Sequence, residues 1–280
     1  MFVDLHMHTF YSDGIFSPHT VVEKCKTQRL KLISITDHDT VVGLSELPDD
    51  DEIKVIPGVE ITCQKSNFGV KEQQPAALHI LGYGLNLNCK TLTDVLLSCQ
   101  RQREKAIEDL LFALKDFSLH FEKKDIPIQH GKLMQMSDIK AFLHPYLDAQ
   151  VLEELLQKCA EKQNQVNLTP KEAIELIHRA GGLAVWAHPF VVYGQSVDSV
   201  WGEKQVEAVA TALKTMGLDG LESTYLAFSK QQEQFLKNLA LKLHLLSTAG
   251  SDFHGYEGRD AFLRYDKNYI NDFFERLSQK

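Results

Sequence analysis

Short apolar runs recur along the chain at residues 2–6, 32–36, 54–61, 77–83, 183–187, 218–222 and 244–249, with segments of helical periodicity between them. Runs this short, several rich in Val, Ile or Leu, suit strands buried on both faces. Strand alternating with helix predicts a parallel α/β architecture, and seven such units predict a barrel, with an open sheet as the alternative that pattern alone leaves. Helix starts are legible too. Ser17-Pro18 offers an N-cap followed by Pro, Thr169-Pro170-Lys171-Glu172 adds the Glu of a capping box, and Ser229 with Gln232 is a weaker version. One stretch breaks the rhythm. Residues 92–117, 138–147 and 151–162 read as helices with no strand among them, the middle one stopped by Pro145. The expected organisation is therefore a barrel made of residues 1–91 and 169–280, with a helical insertion, 92–168, over one mouth. A structural appendage is the bland alternative. A polar loop at 64–75 is a second, smaller insertion.

Composition narrows the partners. The 280 residues suit one barrel with an insertion, and 44% hydrophobic with 24% charged residues is an ordinary globular balance. A net charge of −8 disfavours a broad basic face, so no grip on long duplex nucleic acid is expected, although one phosphate or a few nucleotides remain open. No apolar run approaches the roughly 18 residues of a membrane span, and the first residues lack the pattern of a signal peptide. No membrane association and a cytoplasmic location are the expectations. Five Cys without a CxxC indicate neither a disulfide framework nor a zinc ribbon.

Histidine placement carries the chemistry. His6 and His8 close the first run, His38 follows the second, and Glu60 ends the third. His79 lies in the fourth, His188 follows the fifth, and Asp252 and His254 follow the seventh. In a parallel barrel the C-terminal strand ends converge on one mouth, where active sites are built. Side chains alternate along a strand, so His6-Met7-His8 puts two imidazoles on one side, and Asp252-Phe253-His254 repeats the geometry. Imidazole nitrogen with carboxylate oxygen is a donor set for Zn, Mn or Fe. Buried structural histidines are the competing account, strongest for His79 within its strand. Asp13 precedes Gly14 in a common turn dipeptide, which leaves ligand and turn residue as equal readings. His19, His120, His130, His144, His178 and His244 lie away from the strand ends and read as surface or structural.

The segments Asp4-Leu5-His6-Met7-His8-Thr9, Tyr11-Ser12-Asp13-Gly14, Ile35-Thr36-Asp37-His38-Asp39-Thr40, Pro57-Gly58-Val59-Glu60-Ile61, Ala187-His188-Pro189 and Gly250-Ser251-Asp252-Phe253-His254-Gly255 resemble the motifs of the PHP (polymerase and histidinol phosphatase) family. Within it, the chain looks most like the branch of nucleoside 3′,5′-bisphosphate phosphatases and a 5′→3′ exoribonuclease. The resemblance implies a distorted (β/α)7 barrel and a metal-dependent phosphoesterase. It also implies up to three divalent ions, manganese favoured, with zinc and iron in relatives. By similarity, His6, His8, Glu60 and Asp252 would hold the first ion. Glu60 would bridge to a second completed by His79 and His188, and Asp13, His38 and His254 would hold the third. Asp4 and Asp39 would orient ligand imidazoles. A water activated between the metals would be the nucleophile, so no catalytic side chain beyond the ligands is needed. The expected substrate is a small phosphorylated metabolite, a nucleotide or a short nucleic-acid 5′ end.

The resemblance departs where relatives contact substrate phosphate. The matching stretches here read Met134-Gln135-Met136-Ser137-Asp138, Gln165-Val166-Asn167-Leu168 and Phe190-Val191-Val192-Tyr193. Arg101, Arg103 and Lys105 are candidate replacement cations, against the reading of a solvated helix face. The alternatives are a metal-dependent amidohydrolase and a non-catalytic metal-binding scaffold. No strand-end Lys suits a carbamate bridge for the former, and every ligand position is filled against the latter.

Overall fold

A computed structural model describes the chain apart from residues 48–49, 69–75, 130 and 192–200. The strands are β1 (Phe2–Asp4), β2 (Leu30–Ile35), β3 (Lys54–Thr62), β4 (His79–Tyr83), β5 (Leu183–Trp186), β6 (Gly220–Tyr225), β7 (Leu246–Gly250) and β8 (Tyr265–Asp266). They form one sheet in the order β7-β6-β5-β4-β3-β2-β1-β8. Past its two-residue pairing with β8, the chain leaving β1 meets the chain leaving β7. Leu5 N–H donates to Ala249 O (3.1 Å), Asp252 N–H to His6 O (2.8 Å) and His8 N–H to Phe253 O (2.8 Å). These bonds nearly close the sheet into the expected barrel.

Two features correct the expectation of seven parallel strands. β8 adds an eighth, antiparallel to β1. β4 runs antiparallel to both neighbours, with Thr62 beside His79 and Ile80 beside Trp186. Its run is apolar because both faces are buried, and such a run carries no sign of direction. Leu81 and Tyr83 pack with Leu183, Val185 and Phe273, while Ile80 packs with Ala184, Trp186 and the outer helices.

Around the sheet lie α1 (Pro18–Thr27), α5 (Pro170–Arg179), α6 (Glu203–Thr215), α7 (Lys230–Lys242) and α8 (Asn271–Ser278). Ser17, Thr169 and Ser229 cap α1, α5 and α7 as their sequences require. Between β4 and β5 run α2 (Lys90–Ala113), α3 (Met136–Leu143) and α4 (Ala149–Val166). Helix α3 starts earlier than residue 138 and ends at Leu143; His144 keeps helical angles and donates to Lys140 O, and Pro145, which has no N–H, cannot extend the ladder. These helices share an apolar cluster of their own, including Ile107, Leu110, Ile139, Leu143, Leu152 and Leu156. Leu92 and Leu96, in the first turns of α2, belong instead to the cluster under the barrel helices. Of the small loop at 64–75, residues 69–75 lie outside the described residues, as do Val192, Tyr193 and His130.

Candidate metal centre

The eight residues singled out at the strand ends, together with Asp13, meet at one mouth. His79 arrives by an unexpected route. It opens β4 rather than closing it, and the reversed direction of β4 puts that opening beside the C-terminal end of β3.

Glu60 is central and fully buried. Its Oε2 lies 3.0 Å from His6 Nε2 and 3.1 Å from His8 Nε2. Its Oε1 lies 2.9 Å from both His79 Nδ1 and His188 Nε2. Asp252 Oδ1 faces His8 Nε2 at 3.1 Å and His6 Nε2 at 3.5 Å. Asp13 Oδ2 is 3.1 Å from His254 Nε2 and 3.8 Å from His38 Nε2. Three groups have ligand atoms close enough to share an ion. They are His6, His8, Glu60 and Asp252; His38, Glu60 and His79; and His8, Asp13, His38 and His254.

Hydrogen bonding shows that these atoms suit a cation. His254 Nδ1–H donates to Asp252 O at 2.8 Å, which leaves its Nε2 lone pair facing the Asp13 carboxylate. His6 Nδ1 likewise pairs with Glu222 Oε1 at 3.0 Å, which turns the Nε2 lone pair toward Glu60. Two acceptors face to face repel unless a proton or a metal ion lies between them. Asp13 Oδ1 and His38 Nδ1 are buried without hydrogen bonds. Buried polar atoms of this kind cost free energy unless something binds them.

The field at the mouth is negative. Burial opposes the charge of Glu60, but the imidazoles of His6, His38 and His79 outweigh it and hold the carboxyl well below its ordinary range. Burial likewise opposes the charge of Asp252, and His6 and His8 hold that carboxyl low. Against its own burial, His8 is lifted to about 10 by Asp252 and Glu60. Burial dominates at His38 and lowers it to about 4. At His6, as at His8, burial is outweighed: Glu60, Glu222 and Asp252 raise it well above its ordinary value. A cation bound among these carboxylates would take the place of the protons on His6 and His8, so metal binding here would release protons.

Backbone strain accompanies the site. Asp39, His188 and Asp252 have φ of +56°, +31° and +57°. Non-glycine residues rarely adopt this region, and such strain concentrates at functional sites.

Asp4 and Asp39 take roles other than orienting imidazoles. Asp4 accepts from the backbone of Ser251 (2.9 Å), Leu263 (2.8 Å) and His6 (3.4 Å), so it pins the crossing of β1 with the loop after β7. Burial lifts its carboxyl to about 6 despite these donors. Asp39 accepts from Thr62 N–H and from Arg103. Imidazole orientation falls to Glu222, which also accepts from His188 N–H at 2.7 Å. Sequence reasoning missed Glu222, although it is a carboxylate in the sixth run, and the rule that selected Glu60 selects it too. It also missed Asp37, which binds Thr9 and Ser12, and Tyr225 and Arg259, which both reach Asp252.

Of the candidate cations on α2, Arg101 and Lys105 are exposed, whereas Arg103 pairs with Asp39. Gln100, Arg103, Met134 and Gln135 line a cleft with His38 and Asp39, so the helical insertion borders the site. His19, His120, His144 and His244 are exposed, and His178 pairs with Asp219.

Residues 4–279 match the sequence profile of the PHP domain. The chain belongs to the PHP family. Its curated relatives carry phosphoesterase names, and this chain is a hydrolase of that class. A 5′-3′ exoribonuclease of Haemophilus influenzae is 29% identical over 267 residues, covering 90% of this chain and 89% of that protein. A phosphoribosyl 1,2-cyclic phosphate 1,2-diphosphodiesterase of Eggerthella lenta is 25% identical, covering 92% and 96%. A 3′,5′-nucleoside bisphosphate phosphatase of Chromobacterium violaceum is 24% identical, covering 92% and 90%. The fold matches a solved structure from Bifidobacterium adolescentis, described as a metal-dependent phosphoesterase, with a TM-score of 0.71 at 23% identity over 98% of this chain and 96% of that one. Among the described residues, no helix of this PHP chain is long and apolar enough to cross a membrane.

Proposed function

We propose that this PHP barrel hydrolyses a phosphate ester of a nucleotide, a short RNA 5′ end or another small phosphorylated metabolite, and that it does so with up to three divalent ions. Manganese is favoured, and zinc or iron suit the same donors. The observation that carries the reading is Glu60, whose two oxygens face separate pairs of imidazoles at 2.9 to 3.1 Å, the arrangement of a bridging carboxylate. His6, His8, Glu60 and Asp252 would hold one ion, Glu60, His79 and His188 a second, and Asp13, His38 and His254 a third. His38 Nδ1, 3.5 Å from Glu60 Oε2, also borders the second position.

Bound there, divalent ions supply Lewis acidity toward phosphate oxygens and bring the pKa of a water near neutrality. The chain supplies orientation. Glu222 holds His6 and the backbone of His188, the Asp252 carbonyl holds His254, and Asp37 holds the turn that carries Asp13. Segment 92–168 acts in this reading as a subdomain that shapes access to the mouth.

The test pairs elemental analysis with an activity panel in manganese. The panel contains p-nitrophenyl phosphate, a phosphodiester analogue, adenosine 3′,5′-bisphosphate, a short 5′-phosphorylated RNA and an N-acyl substrate. Expected are bound metal and phosphoester cleavage, both lost in His6→Ala and Asp252→Asn. Equal turnover by these variants rejects the ligand assignment, and cleavage of the amide alone rejects the reaction class.

A further inference from the structure

Resting on that phosphoesterase reading, we propose that the loop after β7 recognises a nucleotide, with Arg259 taking a substrate phosphate and the Tyr256 ring stacking on the adjoining base. Arg259 Nη1 lies 2.9 Å from Asp252 Oδ2 and 3.4 Å from His254 Nε2. Among the described Lys and Arg side chains, it is the one whose acidic ion-pair partner belongs to the proposed ligand set. Arg103, the neighbouring candidate, is committed to Asp39.

The loop is built to hold this cation in place. The carbonyl of Arg259 accepts from the backbone N–H of both His254 (2.8 Å) and Gly255 (2.9 Å), and Arg259 N–H donates to Tyr256 O (2.9 Å). Gly255 and Gly258 have φ of +88° and +86°, and a Cβ at Gly255 would run into the Phe16 ring. The position of Arg259 is thus set by the same peptide units that set His254. A guanidinium has five N–H donors, so contact with Asp252 does not exhaust it. Its side chain remains 33% exposed at the mouth. Planar, permanently charged and forked, it matches two phosphate oxygens while retaining a carboxylate.

Tyr256 supplies the aromatic part. Its ring is 5.2 Å from that of His254, and the residue is 40% exposed. An accessible aromatic face beside a phosphate-binding cation is the combination that holds an unpaired base. A sugar phosphate would use Arg259 alone, so the pair makes the site selective for nucleotides.

The experiment uses the manganese-loaded full chain, with calorimetric binding of inorganic phosphate and of AMP, steady-state kinetics on adenosine 3′,5′-bisphosphate, and metal content by elemental analysis. Arg259→Gln is expected to weaken phosphate binding by about tenfold to a hundredfold. KM should rise more than kcat falls, metal content should stay at the wild-type value, and Arg259→Lys should recover part of the loss. Tyr256→Ala is expected to weaken AMP by about tenfold with inorganic phosphate unaffected, and Tyr256→Phe should bind as wild type does. Unchanged phosphate affinity in Arg259→Gln overturns the assignment. So does loss of metal in that variant, since Arg259 would then be a prop for Asp252. Should Arg259→Gln not fold, Arg259→Met takes its place, and metal loss or unchanged phosphate affinity in it is equally fatal. Equal weakening of AMP and phosphate by Tyr256→Ala removes the stacking role. A wild-type protein that binds AMP yet cleaves no phosphoester would contradict the phosphoesterase reading instead, leaving the binding comparison intact.

Discussion

Arg103 Nη1 lies 2.6 Å from Asp39 Oδ2, so the 24-residue helix α2 is tied by a largely buried ion pair to the residue that follows His38. Burial opposes the Asp39 charge, and the guanidinium outweighs it, holding the carboxyl below its ordinary range. The insertion makes a second contact nearby, where Leu133 N–H donates to Tyr11 O in the turn that carries Asp13.

Replacing Arg103 by Leu leaves Asp39 buried without its cation. The expected loss is about 3 to 5 kcal/mol in chemical denaturation, the range for breaking one side of a buried pair. Asn at 39 tolerates the left-handed backbone and can still accept from Thr62, so Arg103→Leu/Asp39→Asn should recover part of the loss. A single variant as stable as the wild type would show that the pair contributes nothing.

Glu222 acts on metal binding through His6. Glu222→Leu removes the acceptor that fixes the His6 ring, and manganese affinity should fall by about 10- to 100-fold. Glu222→Gln keeps an oxygen acceptor and should fall less. Isothermal titration with manganese reads both, and equal affinities in all three proteins would remove Glu222 from the site.

Gly250 lies where β7 meets the chain leaving β1. A Cβ there would clash with His6 Cβ and Glu222 Oε1. Gly250→Ala must therefore part the two chains or displace His6. It should cost about 1 to 3 kcal/mol and lower metal affinity as well. Full stability together with full metal content would show that the contact relaxes freely.

Asp219 offers a pH test away from the metal centre. Burial raises its carboxyl, but His178 Nε2 at 2.7 Å and Ala184 N–H at 2.8 Å outweigh burial and leave it below its ordinary value. A folded value below the unfolded one contributes stability that is complete above the unfolded value of about 3.9 and is lost as pH falls through the folded value. Asp219→Asn should be less stable than wild type by about 1 to 3 kcal/mol at pH 7, with the gap closing below about pH 4. Urea denaturation at pH 7, 5 and 3 measures it, and a gap independent of pH would exclude the carboxylate charge as its source.

Local chemistry explains what could be read before folding. Apolar runs 2–6, 32–36 and 183–187 announce buried strands because each must satisfy burial by its own composition. Ser17, Thr169 and Ser229 announce helix starts because a cap acts within one turn. The pairs His6/His8 and Asp252/His254 announce shared faces because side-chain alternation is a property of a few residues.

The amino-acid order by itself determined every strand but the two-residue β8, the capped starts of α1, α5 and α7 and the chemical character of the mouth, since each depends on neighbours within a few residues. Only the tertiary structure decided that β4 runs backwards, which is what carries His79 from a strand start to the mouth. The same holds for Glu222 steadying His6 across 216 positions, and for Arg103 seeking Asp39 rather than solvent. Strand direction and long-range partners are set by closure of the sheet and by how the remaining surfaces pack, and no short window of residues contains that information.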